Sequence, residues 1–461
     1  EQVFLNKYSG TVRTQNFNDN WKFYLGDASG AQTPAFDDSS WDQVNLPHDY
    51  SIDQKYNRSM DGESGYLPGG TGWYRKSFTV DKSLEGKRIS IDFGGVYMNA
   101  TIYVNGKKLG THPYGYTPFS FDITDNVKFG KENVIAVKVD HQTPSSRFYS
   151  GSGIYRDVDF VVTDTVHVDK NGTKIETPDL KEHVDGNNVA VKVKTTVVNE
   201  SERDASVKVK HTIYPKNGTA EQAVATFESQ EAVAVEKGKS KDVSADFTAS
   251  GVQLWSTTTP NLYTVKTEVL MDGATVDTYE TDYGFRYFAF DKNNGFTLNG
   301  QKMKLQGVCM HHDQGALGSV ANDRSTERQV EILKMMGCNS IRVTHNPASD
   351  ELIDACNKHG ILVIDEAFDG WVAPKNGNSN DYAKWFNKEI ESDNEIMGAA
   401  DNMTWAQFDL TAMIERGQND PAIIMWSLGN EMWEGTGGYS AAYKTAQDNL
   451  VKWAQAADTT R

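Results

Sequence analysis

The chain has 461 residues, 38% of them hydrophobic, and its 63 acidic and 46 basic side chains give a formal net charge of −17. That length is enough for about three ordinary domains. The acidic balance argues against a nucleic-acid partner, whose phosphates require a basic surface, and suits a protein that handles neutral ligands. No apolar run approaches the roughly 20 residues of a membrane-spanning helix, so we expect no membrane span.

The first 165 residues predict short strands and turns. Apolar and polar residues alternate in Arg88–Phe93, in Ala100–Val104 and over residues 134–139, which is the pattern of half-buried strands. Asn105-Gly106 after the second of these runs is a strong hairpin-turn signal. Residues 1–165 are therefore expected to form an all-β sandwich of the jelly-roll type.

A second all-β segment follows over residues 166–285. Alternation runs over residues 189–197 and recurs at 207–210 and 263–267. Such a length of strands without cysteine suits an immunoglobulin-like sandwich. Its surface residues are Lys, Glu, Asp and Asn without a catalytic pattern, so we expect a spacer domain.

From residue 286 the rhythm changes to strand and helix in alternation. Strands are predicted at 302–310, 339–345, 361–364 and 422–431, and helices at 326–337, 349–359, 405–416 and 441–457. This alternation is typical of a parallel sheet with helical crossovers. A closed (β/α)8 barrel needs eight such units and about 250 residues, so 286–461 is expected to be the first half of one. The alternative, a small open sheet, would leave hydrophobic edge strands uncovered. The other half-barrel is then expected in a continuation or a second fragment.

The three cysteines, Cys309, Cys338 and Cys356, all lie in this third segment. They lack the Cys-x-x-Cys or Cys/His spacing of a zinc site. A disulfide between two of them would leave one free, so the redox compartment stays open. The chain starts Glu1-Gln2-Val3, without Met or an apolar leader, which fits a processed protein or an excised segment. We expect a secreted or cell-surface protein, with the cytoplasm as the alternative.

Each of the four predicted barrel strands ends in polar residues. In a barrel, the carboxyl ends of the strands converge on one face, where the chemistry is carried out. Any single residue there could be structural, but polar clusters at all four ends favour a functional site. The candidates, in strand order, are His311, His312 and Asp313; Arg342 and His345; Asp365, Glu366, Asp369 and Trp371; and Asn430 and Glu431.

Glu431 is the leading candidate for a catalytic acid. Apolar residues 422–425 lead into Trp426, and the run ends on Asn430-Glu431 with Trp433 just beyond. A ring beside carboxylates is a common way to hold a sugar. The alternative is that Glu431 caps the next helix or pairs with a buried arginine.

The motifs together resemble family-two glycoside hydrolases, the group of β-galactosidases, β-glucuronidases and β-mannosidases. The run 426–431, Trp-Ser-Leu-Gly-Asn-Glu, is similar to that family's acid/base signature, and 342–347 and 363–367 are similar to its second and third barrel strands. Upstream, 46–49 and 150–158 resemble its sugar-binding domain, and 254–255 with 260–263 its immunoglobulin-like domain.

The resemblance implies a retaining exo-glycosidase with Glu431 as acid/base. Asn430 would donate to the sugar 2-hydroxyl, and His345 and His311 would contact substrate. Arg342 would orient the nucleophile, a glutamate that the family places on strand seven, beyond residue 461. Glu366 and Glu434 are poor substitutes for that nucleophile.

Three further residues each have two interpretations, a substrate contact or a structural role. Asp49 lies in a first-domain loop, and either reaches the barrel mouth to grip sugar hydroxyls or caps a turn. Trp371 and Trp433 are either stacking platforms or ordinary packing at the barrel rim.

No cofactor is expected. Magnesium is possible, but the Glu-x-His pair that binds it in some of the family's β-galactosidases is absent after the third strand, where Asp369 could instead serve the sugar.

The predicted reaction is hydrolysis of terminal non-reducing β-galactose from an oligosaccharide or glycan. A β-glucuronidase or β-mannosidase is the alternative within the family. A non-catalytic glycan-binding protein is the alternative from another class, and the Asn430-Glu431 pair argues against it.

Overall fold

The computed structural model describes residues 2–4, 13–432 and 440–461. Within these ranges, strands and helices form three consecutive units that correspond to the predicted jelly roll, immunoglobulin-like sandwich and half-barrel. Among the helices in the same ranges, none has the length and apolarity to cross a membrane.

The first unit is a jelly-roll sandwich of two sheets. One sheet has the strand order β4-β3-β5-β10-β7-β8, with β1 paired to β5, and the other has the order β2-β11-β6-β9. The Asn105-Gly106 hairpin joins β7 to β8 as predicted. The strands are β1 (Gln2–Phe4), β2 (Thr14–Asn16), β3 (Trp21–Leu25), β4 (Asp42–Val44), β5 (Gly70–Val80), β6 (Arg88–Phe93), β7 (Ala100–Val104), β8 (Lys107–His112), β9 (Phe119–Asp122), β10 (Glu132–His141) and β11 (Val158–Thr163).

The second unit is an immunoglobulin-like sandwich. A sheet of order β12-β13-β17 faces one of order β15-β14-β18-β19, to which β16 adds by pairing with β14. Alternate valines of β13 point into its core. The strands are β12 (Val166–Glu176), β13 (Val189–Asn199), β14 (Ala205–Pro215), β15 (Ala225–Glu228), β16 (Val233–Val235), β17 (Ser240–Ala249), β18 (Tyr263–Met271) and β19 (Ala274–Tyr283).

The third unit is a half-barrel preceded by a small antiparallel sheet. Four parallel strands lie in the order β23-β24-β25-β26, and helices connect them. The elements are β20 (Phe288–Asp291), β21 (Gly295–Leu298), β22 (Gln301–Lys302), β23 (Gly307–Met310), α1 (Asp323–Met335), β24 (Ser340–Val343), α2 (Asp350–His359), β25 (Leu362–Glu366), α3 (Trp405–Gly417), β26 (Ile423–Ser427) and α4 (Ala441–Ala457).

Two predicted strands of the half-barrel differ in extent. The strand predicted at 302–310 is divided between the hairpin strand β22 and the barrel strand β23. The strand predicted to run to Glu431 ends at Ser427, because the chain then turns to meet Trp371, whose indole Nε1 donates to the Leu428 carbonyl at 2.9 Å. A Cβ at Gly429 would lie 2.8 Å from that nitrogen, so only glycine allows the approach.

The jelly roll and the half-barrel share one apolar core. Phe119 and Phe121 of β9 belong to the same buried cluster as Trp405 and Phe408 of α3. Within it, the buried carboxylate of Asp409 accepts hydrogen bonds from first-domain groups, His112 Nε2 at 2.7 Å and Thr117 Oγ1 at 2.6 Å. This packing fixes the first domain's loops against the carboxyl ends of the barrel strands.

Candidate active site

The parallel register places the predicted polar residues side by side. Arg342 pairs with Ile364 across β24 and β25, and Glu366 pairs with Ser427 across β25 and β26. The side chains at these strand ends therefore meet at one edge of the sheet, as the barrel interpretation requires.

Glu366 is the buried centre of the cluster. Its carboxylate has no exposed surface and accepts from Arg342 Nη2 at 2.6 Å, His345 Nδ1 at 2.7 Å and Ser427 Oγ at 2.7 Å. Burial alone would lower the pKa of Arg342, but its bonds to Glu366 raise that pKa above the ordinary value. Glu366 thus fixes the positions of Arg342 and His345.

Asn430 is buried between two charged groups. Its Oδ1 accepts from Arg342 Nη2 at 3.1 Å, and its Nδ2 donates to Asp369 Oδ1 at 2.9 Å. Lys375 Nζ donates to the Asn430 backbone carbonyl and lies 3.4 Å from Asp369 Oδ1. Burial would raise the pKa of Asp369, yet bonds from Arg147 and Asn430 and the charge of Lys375 hold it below the ordinary value. The pKa of Lys375 is lowered, chiefly by burial.

Glu431 follows in a left-handed backbone conformation, with φ of 44°. This conformation is uncommon for residues other than glycine. Its side chain is 60% exposed, and Oε2 lies 3.3 Å from both terminal nitrogens of Arg147. The carboxylate therefore stands at the open side of the cluster, where a solvent-borne substrate would approach.

Aromatic rings line the other side of the cluster. The ring of Phe148 lies 4.4 Å from that of His311, which meets His345 edge to face at 5.4 Å. Burial is the largest cause of the lowered pKa of His311, and His345 adds to it. His312 points away and donates to the Ser150 carbonyl at 3.0 Å, and burial lowers its pKa to about 4.

Asp49 and Trp371, two candidate sugar contacts from the sequence, are buried against other residues of the protein. Asp49 is 2% exposed and accepts from Ser51 N at 2.9 Å, as a turn-capping residue does, and from Ser152 and Ser319. The bond from Ser51 N is that of a turn cap, and a sugar contact by Asp49 stays a prediction. Trp371 is buried against Leu428 and Tyr443, which matches the packing alternative. Trp433 lies outside the described residues.

Arg147, Phe148 and Lys375 belong to the cluster but were missed from the sequence. Arg147 binds Asp369 through Nε at 3.1 Å and Nη2 at 2.8 Å, from the first-domain loop between β10 and β11. The one available signal was that Arg147 and Phe148 lie just before the motif at 150–158, in the loop that follows a strand. Lys375 carries no motif.

Glu366 and Asp369, the two bonded carboxylates of this cluster, do not suit magnesium. Mg²⁺ takes carboxylate and water oxygens in near-octahedral geometry. Glu366 is bound by Arg342 and His345, and Asp369 by Arg147 and Lys375. Arginine, lysine and histidine donors thus occupy the oxygens that an ion would need.

Comparison with known proteins places these features in context. Models described as glycosyl hydrolases family 2 match the chain in order: the sugar-binding domain at 14–164, the family 2 domain at 173–286 and the TIM barrel domain at 291–461. A beta-galactosidase of Bacteroides ovatus, BoGH2A, is 42% identical over 91% of this chain and 46% of its own length. A putative beta-glucuronidase of Formosa agariphila is 36% identical over 90% of this chain and 37% of its own length.

A solved structure has the same fold. A glycosyl hydrolase family 2 member from Bacteroides cellulosilyticus superposes with a TM-score of 0.88 at 37% identity, over 98% of this chain and 55% of that chain. The present chain thus spans about half the length of the relatives that it matches.

Proposed function

The chain belongs to family 2 of the glycosyl hydrolases, and we propose that it is the acid/base-bearing part of a retaining exo-glycosidase that removes terminal β-linked galactose. The observation that carries the proposal is the pair Asn430-Glu431. Asn430 is buried and fixed by Arg342 and Asp369, whereas Glu431 is 60% exposed beside it. A fixed amide next to an accessible carboxylate suits one sugar contact and one proton donor.

Glu431 acts in both steps of the double displacement. In the first, its carboxyl proton passes to the glycosidic oxygen as the bond from that oxygen to the anomeric carbon breaks and the nucleophile bonds to that carbon. In the second, the Glu431 carboxylate takes a proton from water, whose oxygen replaces the enzyme carboxylate at the anomeric carbon. Asn430 orients the sugar, and His345, fixed by Glu366, faces it.

The nucleophile is proposed to come from outside the described residues. Retention requires a second carboxylate about 5–5.5 Å from the acid/base, while Glu366 is bound by Arg342 and His345, and Asp369 by Arg147 and Lys375. The half-barrel has four strands, and the relatives are about twice as long.

Covalent labelling tests that origin. Reaction of the full-length protein with a 2-deoxy-2-fluorogalactosyl fluoride should trap the glycosyl-enzyme, and peptide mass spectrometry should find the label outside residues 1–461. A label on Glu366 or Asp369 would show that this half-barrel supplies its own nucleophile.

The charge balance of the cluster supports a neutral sugar. Arg147, Arg342 and Lys375 are paired with Asp369, Glu431 and Glu366, so the described cluster carries no surplus cation for a substrate carboxylate. The relative of highest identity named above is a beta-galactosidase. Because another relative is named a putative beta-glucuronidase, that activity is the second candidate.

A substrate panel ranks the two. The full-length protein is assayed on 4-nitrophenyl β-galactoside, β-glucuronide and β-mannoside, and we expect the highest kcat/KM on the galactoside. NMR of the first product should show the β-anomer before mutarotation. Preference for the glucuronide would replace the proposed substrate, and first appearance of the α-anomer would overturn retention.

A further inference from the structure

Arg147 is a first-domain residue whose side chain bonds to the proposed acid/base. It lies in the loop between β10 and β11, and its side chain is 14% exposed. Nε and Nη2 form a two-pronged bond to Asp369, at 3.1 and 2.8 Å, across the boundary between jelly roll and half-barrel. A guanidinium held in this way has a fixed direction, because both prongs must be satisfied together.

The anchor of Arg147 is also the anchor of the segment that carries Glu431. Asp369 accepts from the Asn430 side chain at 2.9 Å, and Lys375 connects Asp369 to the Asn430 backbone carbonyl. One carboxylate thus sets the position of the arginine and of the residue before Glu431. The two terminal nitrogens of Arg147 are directed at Glu431 Oε2, each at 3.3 Å.

An exposed carboxylate is usually poorly fixed, because a surface ion pair gains little against the side-chain entropy that it costs. Glu431 differs since its partner is already immobilised by Asp369. The backbone of Glu431 is left-handed, and in this conformation Oε2 lies 3.3 Å from each terminal nitrogen of Arg147. Little additional ordering is then needed to hold the carboxylate.

We propose that Arg147 is a positioning residue, supplied by the first domain, that holds the Glu431 carboxylate where it exchanges its proton with the glycosidic oxygen. The inference rests on the proposed glycosidase function. Arg147 acts through Glu431, so its loss should reproduce the signature of a weakened general acid. Its cation also favours the ionised carboxylate, the form that accepts the proton from water in the second step.

The test uses leaving groups of different basicity, with the full-length protein. A phenyl galactoside needs protonation to leave, whereas a 2,4-dinitrophenyl galactoside does not. We expect Arg147→Met to lose about tenfold or more in kcat/KM on the phenyl substrate and to stay within about threefold on the dinitrophenyl substrate, since general acid catalysis contributes about 10²–10⁴-fold. The alkaline limb of kcat/KM should move to higher pH when the guanidinium is removed.

Two further variants complete the set. Arg147→Lys keeps the charge but loses the two-pronged bond, so its loss should be smaller and in the same direction. Arg88→Met is the matched control, because Arg88 of β6 is also a first-domain arginine paired with a carboxylate, Asp122 at 2.6 Å, and lies outside the cluster. We expect no leaving-group dependence from it. If Arg147→Met fails to fold by circular dichroism, Arg147→Lys carries the test.

The outcomes separate this inference from the function on which it rests. Equal losses on both substrates, or none, would overturn the positioning role while Glu431→Gln still shows the leaving-group signature. If Glu431→Gln shows no such signature, or the parent protein hydrolyses neither galactoside, the proposed function fails and this inference fails with it.

Discussion

Glu366 and Glu431 lie at the ends of neighbouring strands in opposite environments. Glu366 has no exposed surface and is bound by Arg342, His345 and Ser427. Glu431 is 60% exposed and contacts Arg147. A fully bound buried carboxylate holds its neighbours in place, whereas an accessible carboxylate is able to give up and accept protons. The two residues are therefore expected to differ in their effects on stability.

Stability measurements separate these roles. Glu366→Gln leaves Arg342 and His345 without their carboxylate, and breaking a buried pair of this kind costs about 3–5 kcal/mol. Glu431→Gln should change the free energy of unfolding by less than about 0.5 kcal/mol, as is usual for exposed positions. Urea unfolding of both variants gives the comparison. Similar free energies would contradict the assignment of Glu366 as the structural member.

The sequence predicted which residues belong to the cluster better than it predicted which residues they contact. Asn430, Glu431, Arg342 and His345 could be found from strand-end position and motif, because a parallel sheet brings its carboxyl ends together. Arg147 could not, since it depends on how a loop of another domain packs on the barrel. Asp49 was ambiguous for the same reason: its sequence context fits a turn cap and a ligand contact equally.

At the scale of elements, local signals placed most boundaries. β6, β7 and α4 have the predicted limits, because alternation, the Asn-Gly turn and the Ser440 cap are local features. β26 ends early because of Trp371, which is distant in sequence. β26 thus ends at a boundary set by tertiary contact, whereas α1, predicted at 326–337, begins at Asp323 after a local cap, Asn322, that the prediction missed.

Gly360 tests a boundary on which sequence and structure agree. It ends α2 in a left-handed conformation, with φ of 74°, and a Cβ there would lie 2.6 Å from the Thr257 backbone carbonyl oxygen. Gly360→Ala should lower the free energy of unfolding by about 2 kcal/mol or more, from backbone strain plus displacement of the second domain. Urea unfolding measures this loss.

Gly337 provides the control for that substitution. It follows α1 with φ of 89°, and a Cβ added there would have no heavy atom of the described residues within 4 Å beyond its own chain neighbours. Gly337→Ala should lower the free energy of unfolding by the backbone strain alone, about 1 kcal/mol. Equal losses at the two glycines would mean that the approach of Thr257 contributes nothing.

At the scale of the whole molecule, a cavity of about 270 Å³ lies between the first domain and helices α1 and α2. Carboxylates from both sides line it, among them Asp157, Asp159, Glu351 and Asp354. Burial is the main cause that raises the pKa of Glu351 to about 8 and those of Asp159 and Asp354 to about 7, and neighbouring carboxylates add to it. The interface thus carries groups that prefer to be uncharged.

This arrangement predicts a loss of stability as the pH rises. The pKa of Glu351 is 4.5 in its ordinary state and about 8 when folded, so its contribution is fully present below pH 4.5 and lost as the pH rises toward 8. The glutamine in Glu351→Gln cannot ionise. The free energy of unfolding of this variant, relative to that of the parent protein, should therefore rise by roughly 1 kcal/mol per pH unit between pH 5 and 8. Denaturant unfolding at several pH values tests the slope.

Glu231, an exposed carboxyl of the second domain, supplies the control. Glu231→Gln removes an exposed carboxyl that lies outside the cavity, and its unfolding is measured over the same pH range. If the Glu351→Gln difference has the same pH dependence as this control, the cavity is not the origin of the effect.

The shared core of jelly roll and half-barrel has a consequence for protein engineering. Asp409 and the aromatic residues around it belong as much to the first domain as to the third. A chimera that joins the jelly roll of one relative to the barrel of another would bring together core residues that did not evolve to pack on each other. The first-domain and barrel residues of that core would therefore have to be exchanged as one set. The immunoglobulin-like unit has two clusters of its own, but its Trp255 is buried in the core of the half-barrel, so an exchange of that unit would have to keep this residue matched to the barrel.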